Sequence, residues 1–212
     1  RNKEQAHIEP VRDTKRIIQM LLFSRLMRYL GRQQRKLEAR PAERLYQSIL
    51  QASRQPNLYT EFEVHDHLDS RFDMLCLHIS LLMGRLRMLP EDVHKPLNQE
   101  LFDRFFADMD FTLREMGVGD LGVGKRVRKM SEAFMGRLLA YTKSLERNDK
   151  TELALVLARN IRRSHDCNDA DRRMADYVLE SRDRLSAVSD NEMQAGTVDL
   201  VAILALHGDS HG

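Results

Sequence analysis

One stretch limits the folds open to this chain more than any other. Leu101 to Lys125 reads LFDRFFADMDFTLREMGVGDLGVGK. Leu101, Phe105, Met109, Leu113 and Met116 recur at helical spacing, and Phe102 and Phe106 widen the apolar stripe. Asp103, Arg104, Asp108, Asp110, Arg114 and Glu115 fall on the other side. Glu100 with Arg104, Arg104 with Asp108, and Asp110 with Arg114 are four apart, a spacing that supports a helix by roughly 0.2–0.5 kcal/mol per pair. Gly117 then stands where a C-cap glycine belongs, because glycine takes the left-handed backbone without penalty. Gly119, Gly122 and Gly124 follow closely. The stretch predicts a helix, a tight glycine corner and the start of a second helix. Such a corner is either a rigid turn or a recognition loop on a helical scaffold.

The rest of the chain repeats the helical signal. Pro41 opens a helix over Ala42–Ala52. Asn57–Asp69 is a loop or a short helical turn. Arg71–Leu89 is apolar nearly all round, as a central bundle helix is. Pro96 is expected to mark the connection to the Leu97–Met116 helix. Val127, Met130, Phe134, Leu138, Tyr141 and Leu145 pattern a long helix ending at Arg147, with Gly136 expected to allow a close helix contact. Leu153–Ile161 and Asp171–Val188 are further helices, and Val198–Leu206 is a final apolar segment with a start signal at Ser189 or Asp190. There is no Trp, aromatics are only 6 %, and 11 methionines fill apolar positions. The predicted fold is all-α: a compact multi-helix bundle over 41–206, preceded by a polar tail and basic arm over 1–40 and followed by a flexible end at 207–212.

Charge is unevenly placed. Residues 1–40 carry 11 Lys or Arg against 4 Asp or Glu, or +7, which leaves −5 of the overall +2 for the remainder. A basic arm on a mildly acidic body points to an anionic partner. Within the arm, Phe23 and Leu26 share a broad apolar face while Arg25, Arg28 and Arg32 share the other. This is the build of an amphipathic helix lying in a membrane interface. A helix packed on the body is the alternative reading. The apolar run IIQMLLF is far short of the about 20 residues that span a bilayer. It lacks the cleavage site of a secretory signal, and Glu4, Glu9 and Asp13 interrupt a transit-peptide pattern. The chain begins with Arg1 and its first methionine is Met20, which leaves the native start open.

Reactive chemistry is not visible. Gly119–Lys125 fits the phosphate-cradling spacing, but Arg126 replaces the required Ser or Thr and no strand pattern precedes it. His65 and His67 lack a third ligand at metal-binding spacing. His78 and Cys76 lie in an apolar helical run and read as core residues. Two cysteines make no disulfide framework. No nucleophile–base set stands at a familiar spacing. The chain is expected to be no enzyme and to use no metal or cofactor.

Residues from about Leu45 to Val201 resemble the ubiquinol–cytochrome c chaperone family, the assembly factors of cytochrome b. The segments that carry the resemblance are RQPNLYTEFEVHDHLDSRFDMLCLHISLLMGRLR, LFDRFFADMDFTLREMGVGDLGVGKRVRKMSEAFMGRLLAY and LALVLARNI. Gly124 stands where the family pattern GVGDLGVPK has proline. The resemblance implies an all-helical, non-enzymatic chaperone. It would bind newly made cytochrome b at the inner membrane before the bc1 complex assembles. That role implies a peripheral place on the cytoplasmic side in a bacterium, or on the matrix side in a mitochondrion. A small partner assembly factor or the ribosome is a further implied contact, and DNA is not. Matching motif positions make Tyr59, Arg71, Asp108, Asp110, Arg114, Glu115, Gly119, Asp120 and Lys125 candidate client- or partner-binding residues. Arg71 and Asp110 are alternatively expected as a buried pair between helices. A different class of function, an RNA- or ribosome-binding module using Lys125 to Lys129 and the arm, is the second reading.

Overall fold

The computed structural model describes residues 40–206. The arm residues Phe23, Arg25, Leu26, Arg28 and Arg32 lie outside them, so the interface helix expected there is not addressed by the fold. Among the described residues there is no strand. The helices are α1 (Pro41–Ala52), α2 (Pro56–Glu61), α3 (Leu68–Leu86), α4 (Glu91–Glu115), α5 (Asp120–Glu146), α6 (Lys150–Leu157), α7 (Asp169–Ser186), α8 (Asp190–Ala195) and α9 (Leu200–Ile203). A π-helical turn, Ala158–Arg162, extends α6.

Helix α3 is central, as its apolar circumference predicts, and packs against α1, α4, α5, α7 and the π turn. It also carries polar side chains into the core, each with a partner. His78 is fully buried; its Nδ1 lies 2.7 Å from the Met74 carbonyl and its Nε2 lies 2.8 Å from the Tyr177 hydroxyl. The buried Asp73 carboxylate accepts from Arg137 of α5 at 2.6 Å and from Arg163 at 3.0 Å. Arg163 follows the π turn in a left-handed conformation, φ 57°. One aspartate thus ties three elements together.

Two differences from the sequence reading go beyond a shift of a few residues at a helix end. Pro96 does not separate elements, because α4 runs straight through it from Glu91. A proline five positions into a helix forfeits one backbone bond, here to Asp92, and that residue is exposed to water. The Pro90 carbonyl starts the helix instead, accepting from Val93 and His94. At the C-terminal end, Ser189 caps a separate short helix, α8, and Asp199 caps α9. Leu200 and Leu204 are fully buried. The Leu200 amide donates to Ser48 Oγ of α1 at 3.0 Å, so the last described helix closes onto the first described one.

The glycine corner as a candidate binding surface

Helices α4 and α5 form a hairpin whose inner side is aromatic. Phe102, Phe105 and Phe106 of α4 surround Phe134 of α5, with ring centroids 5.9, 5.3 and 5.9 Å from it. Val123 and Val127 continue this buried seam to the start of α5. The corner is therefore held on a fixed frame.

The corner itself ends α4 as its glycine predicts. Gly117 has φ 79°; its amide donates to the Arg114 carbonyl at 2.9 Å, and the Val118 amide to the Leu113 carbonyl at 3.1 Å. This pair of bonds is the Schellman arrangement. Helix α5 begins at once, with the Gly119 carbonyl accepting from Gly122 and Val123. Gly122 and Gly124 are consequently helical rather than part of the turn.

Arg114 bridges the two helices. Its Nε donates to Asp110 at 2.7 Å and its Nη1 to Asp120. Those hydrogen bonds hold the guanidinium proton more tightly than usual, the one donated to Asp110 contributing most. Asp110, Arg114 and Asp120 are thus brought together, with Glu115, Gly119 and Lys125 exposed around them.

The other candidate residues sit elsewhere. Asp108 is half-buried and accepts from the Tyr46 hydroxyl of α1 at 2.7 Å. Arg104 stacks 4.7 Å over the Tyr46 ring and bonds Glu43 at 2.7 Å, so this group fastens α4 to α1. Burial, then the Asp108 charge, pushes the Tyr46 hydroxyl well above its ordinary pKa and keeps it a donor. Tyr59 is buried, and its hydroxyl donates to the Ser53 carbonyl at 3.1 Å. Burial pushes its pKa up to about 12, with the nearby Asp66 charge adding to this. The expected Arg71–Asp110 pair does not form. Arg71 instead grips Asp66 with two bonds, 2.6 and 2.9 Å, at an exposed site. Five residues of sequence separation make Asp66 the nearer acid. Tyr59 and Arg71 meet only through this local Asp66 cluster.

The sequence reading missed the apolar side of the corner. Phe111, Met116 and Leu121 are 58, 55 and 97 % exposed. Met116 matches the inward stripe by spacing, but it is the C-cap residue, where the chain leaves the helix. For the other two a signal existed. At about 100° per residue Leu121 lies ~160° from Val123, opposite the core seam. By the same geometry Phe111 projects away from the Leu101–Leu113 stripe.

The comparisons with known proteins agree on one family. The family model for ubiquinol–cytochrome C chaperones matches residues 60–201. The chain belongs to the ubiquinol–cytochrome c chaperone family. A crystal structure of the Cbp3 homolog from Brucella abortus is similar to it, with a TM-score of 0.68 and 37 % identity over 84 % of this chain and 94 % of that one. Among curated protein sequences the comparison finds no match. Family membership gives the general role, a chaperone for assembly of the ubiquinol–cytochrome c reductase (bc1) complex. The matched span holds the whole glycine corner and both helices that frame it, while Tyr59 and α1 precede it. Among the described residues no helix is long and apolar enough to cross a membrane.

Proposed function

We propose that this chaperone holds newly made cytochrome b at the membrane and hands it to the assembling bc1 complex. The observation that carries the reading is the Arg114 bridge between Asp110 and Asp120, because it places a preorganised polar surface on a rigid hairpin inside the family-matched span. Arg114, Glu115, Gly119 and Asp120 make up its accessible part, with Lys125 at its edge. Tyr59, Asp108 and the Arg71–Asp66 pair hold other parts of the scaffold together: α2 to the end of α1, α4 to α1, and the first turn of α3 to the loop before it. A client segment would meet charges already fixed in position, which lowers the ordering cost of binding. The basic arm, through Arg25, Arg28, Arg32, Phe23 and Leu26, keeps the chaperone at the peripheral membrane surface where the client emerges. A small partner assembly factor or the ribosome would act beside it.

The test is to replace Arg114 or Asp120 by Ala in cells whose own copy is deleted. Both variants are expected to fold and accumulate, while mature haem-bearing cytochrome b is lost from the membranes. Normal bc1 assembly with either variant would sink the assignment of this surface. The RNA-binding reading draws on Lys125, Arg126 and Lys129, which are exposed and form no ion pair with a described residue. It requires RNA affinity that falls steeply with salt.

A further inference from the structure

Two features of the corner go beyond what client binding requires. Among the described residues, three of the seven exposed large apolar side chains, Phe111, Met116 and Leu121, fall within one eleven-residue stretch. Scattered exposed apolar residues are ordinary; a group of them at a hairpin tip is not. Leu121 is the extreme case at 97 % exposure, on a helix that continues for six more turns and could have buried it only by rotating Val123 and Val127 out of the core.

The second feature is charge. Leu121, Lys125 and Lys129 are spaced four apart on α5, so they lie along one face, with Arg128 beside them. Cations in the first turns of a helix oppose its dipole. The nearest acid at the start of α5, Asp120, is taken by Arg114 across the corner, and Arg128 is paired with Glu132 at 3.1 Å. Lys125 and Lys129 form no ion pair with a described residue, and Glu115 is the exposed acid left on the α4 side. An anion from outside the fold would complete the site.

We propose that this face is a membrane contact: Leu121, flanked by Met116 and Phe111, enters the interface of an anionic bilayer while Lys125 and Lys129 meet the lipid phosphates. An apolar tip rimmed by lysines is the chemistry of an interfacial anchor. Single-stranded RNA would call for aromatic platforms beside the cations; on the lysine-bearing face of α5 the exposed apolar residue is the aliphatic Leu121, and the exposed aromatic of the group, Phe111, lies on α4. The arm, which the sequence patterns as a basic interfacial helix, points to the same surface. The inference stands whether or not cytochrome b is the client, since its test contains no client.

The full chain would carry a single environment-sensitive dye through L121C, in a C167S background in which the remaining Cys76 is buried. With vesicles of phosphatidylcholine containing phosphatidylglycerol, the dye emission should shift to the blue. Pure phosphatidylcholine vesicles should give at least a tenfold weaker response. K125Q/K129Q, two lysines near an anionic surface, should weaken the response about thirtyfold. Flotation of the unlabelled L121Q variant should be at least tenfold poorer than that of the parent chain. A dye that stays in water while the protein floats would mean that the arm alone binds, and would overturn the proposal. So would equal responses to charged and uncharged vesicles, or a shift with transfer RNA or polyglutamate but not with vesicles. Loss of cytochrome b in R114A cells together with an unshifted L121C dye would refute this contact and leave the client surface standing.

Discussion

At the scale of single residues, two buried ionisable groups on α3 pull stability in opposite directions. Burial pushes the Asp73 carboxyl up from 3.8 to about 6, although Arg137 and Arg163 act the other way. Between these values the folded chain keeps a proton that the unfolded chain has released, so this group makes stability fall as pH rises. Burial pushes His78 down from 6.5 to about 4, with the Met74 carbonyl opposing. Here the unfolded chain takes up a proton that the folded chain refuses, so stability falls as pH drops. The two slopes, each up to about 1.4 kcal/mol per pH unit, overlap and largely cancel between about pH 4 and 6. Urea unfolding across that window should therefore separate them. H78Q is expected to leave stability falling with rising pH relative to the parent, and D73N should show the reverse. Parallel pH profiles for the two variants would show that neither group titrates as its burial implies.

His78 has a second consequence. A neutral ring that donates from Nδ1 to Met74 has only a lone pair at Nε2, which needs the Tyr177 proton. The Tyr177 hydroxyl also lies 2.9 Å from the Leu204 carbonyl as a donor. One proton thus serves two acceptors. Asp73 is the costlier group to disturb. Removing Arg137 leaves a buried carboxylate with only Arg163, and R137A should lose about 3–5 kcal/mol in denaturant unfolding. The D73N/R137M double variant should cost less than the sum of its parts.

At the scale of elements, the glycines divide by backbone and by space. Gly117 takes φ 79° and Gly196 φ 65°, and a Cβ on Gly196 would stand 2.6 Å from the Pro41 carbonyl oxygen. Gly136 is different. It was expected to admit a close helix contact, yet it is exposed and a Cβ there meets nothing within 4 Å. G136A should stabilise the chain by about 0.5–1 kcal/mol, as a helix-interior glycine replaced without strain does. G117A should destabilise by about 1 kcal/mol, and G196A by more because α1 must move. Thermal melts of the three variants in that order would check the division. The capping glycine was readable because left-handed backbone has a residue preference. The space around a helical glycine was not, since it depends on which helix lies across from it.

At the scale of the whole molecule, closure depends on the C-terminal segment. Leu200 and Leu204 are buried, and the chain from Gly196 onward touches α1 and α7 through Pro41, Ser48 and Tyr177. Truncation after Ala195 should lower the melting temperature and remove hydrogen-exchange protection from α1, although α1 lies at the other end of the described chain. Retained protection in α1 would mean that α3 and α4 suffice to hold it. The family is legible along most of the chain, whereas the candidate surface at the glycine corner was only half legible. The charged bridge of Arg114 could be anticipated from Asp110 four residues away. Of the apolar tip, Phe111 and Leu121 fall off the inward period and could have been read, but Met116 was hidden because it matches that period until the helix ends beneath it.

Sequence periodicity by itself determined that this chain is helical, where α4 ends, and that α3 sits at the centre, because these follow from local backbone preference and from counting apolar sides. Only the tertiary structure decided that Arg71 takes Asp66 rather than Asp110, that α9 closes on α1, and that Met116 is left exposed. The closure of α9 on α1 depends on a distance between segments far apart in the chain, which no local preference encodes; the other two depend on which acid lies within reach of Arg71 and on where α4 stops beneath Met116.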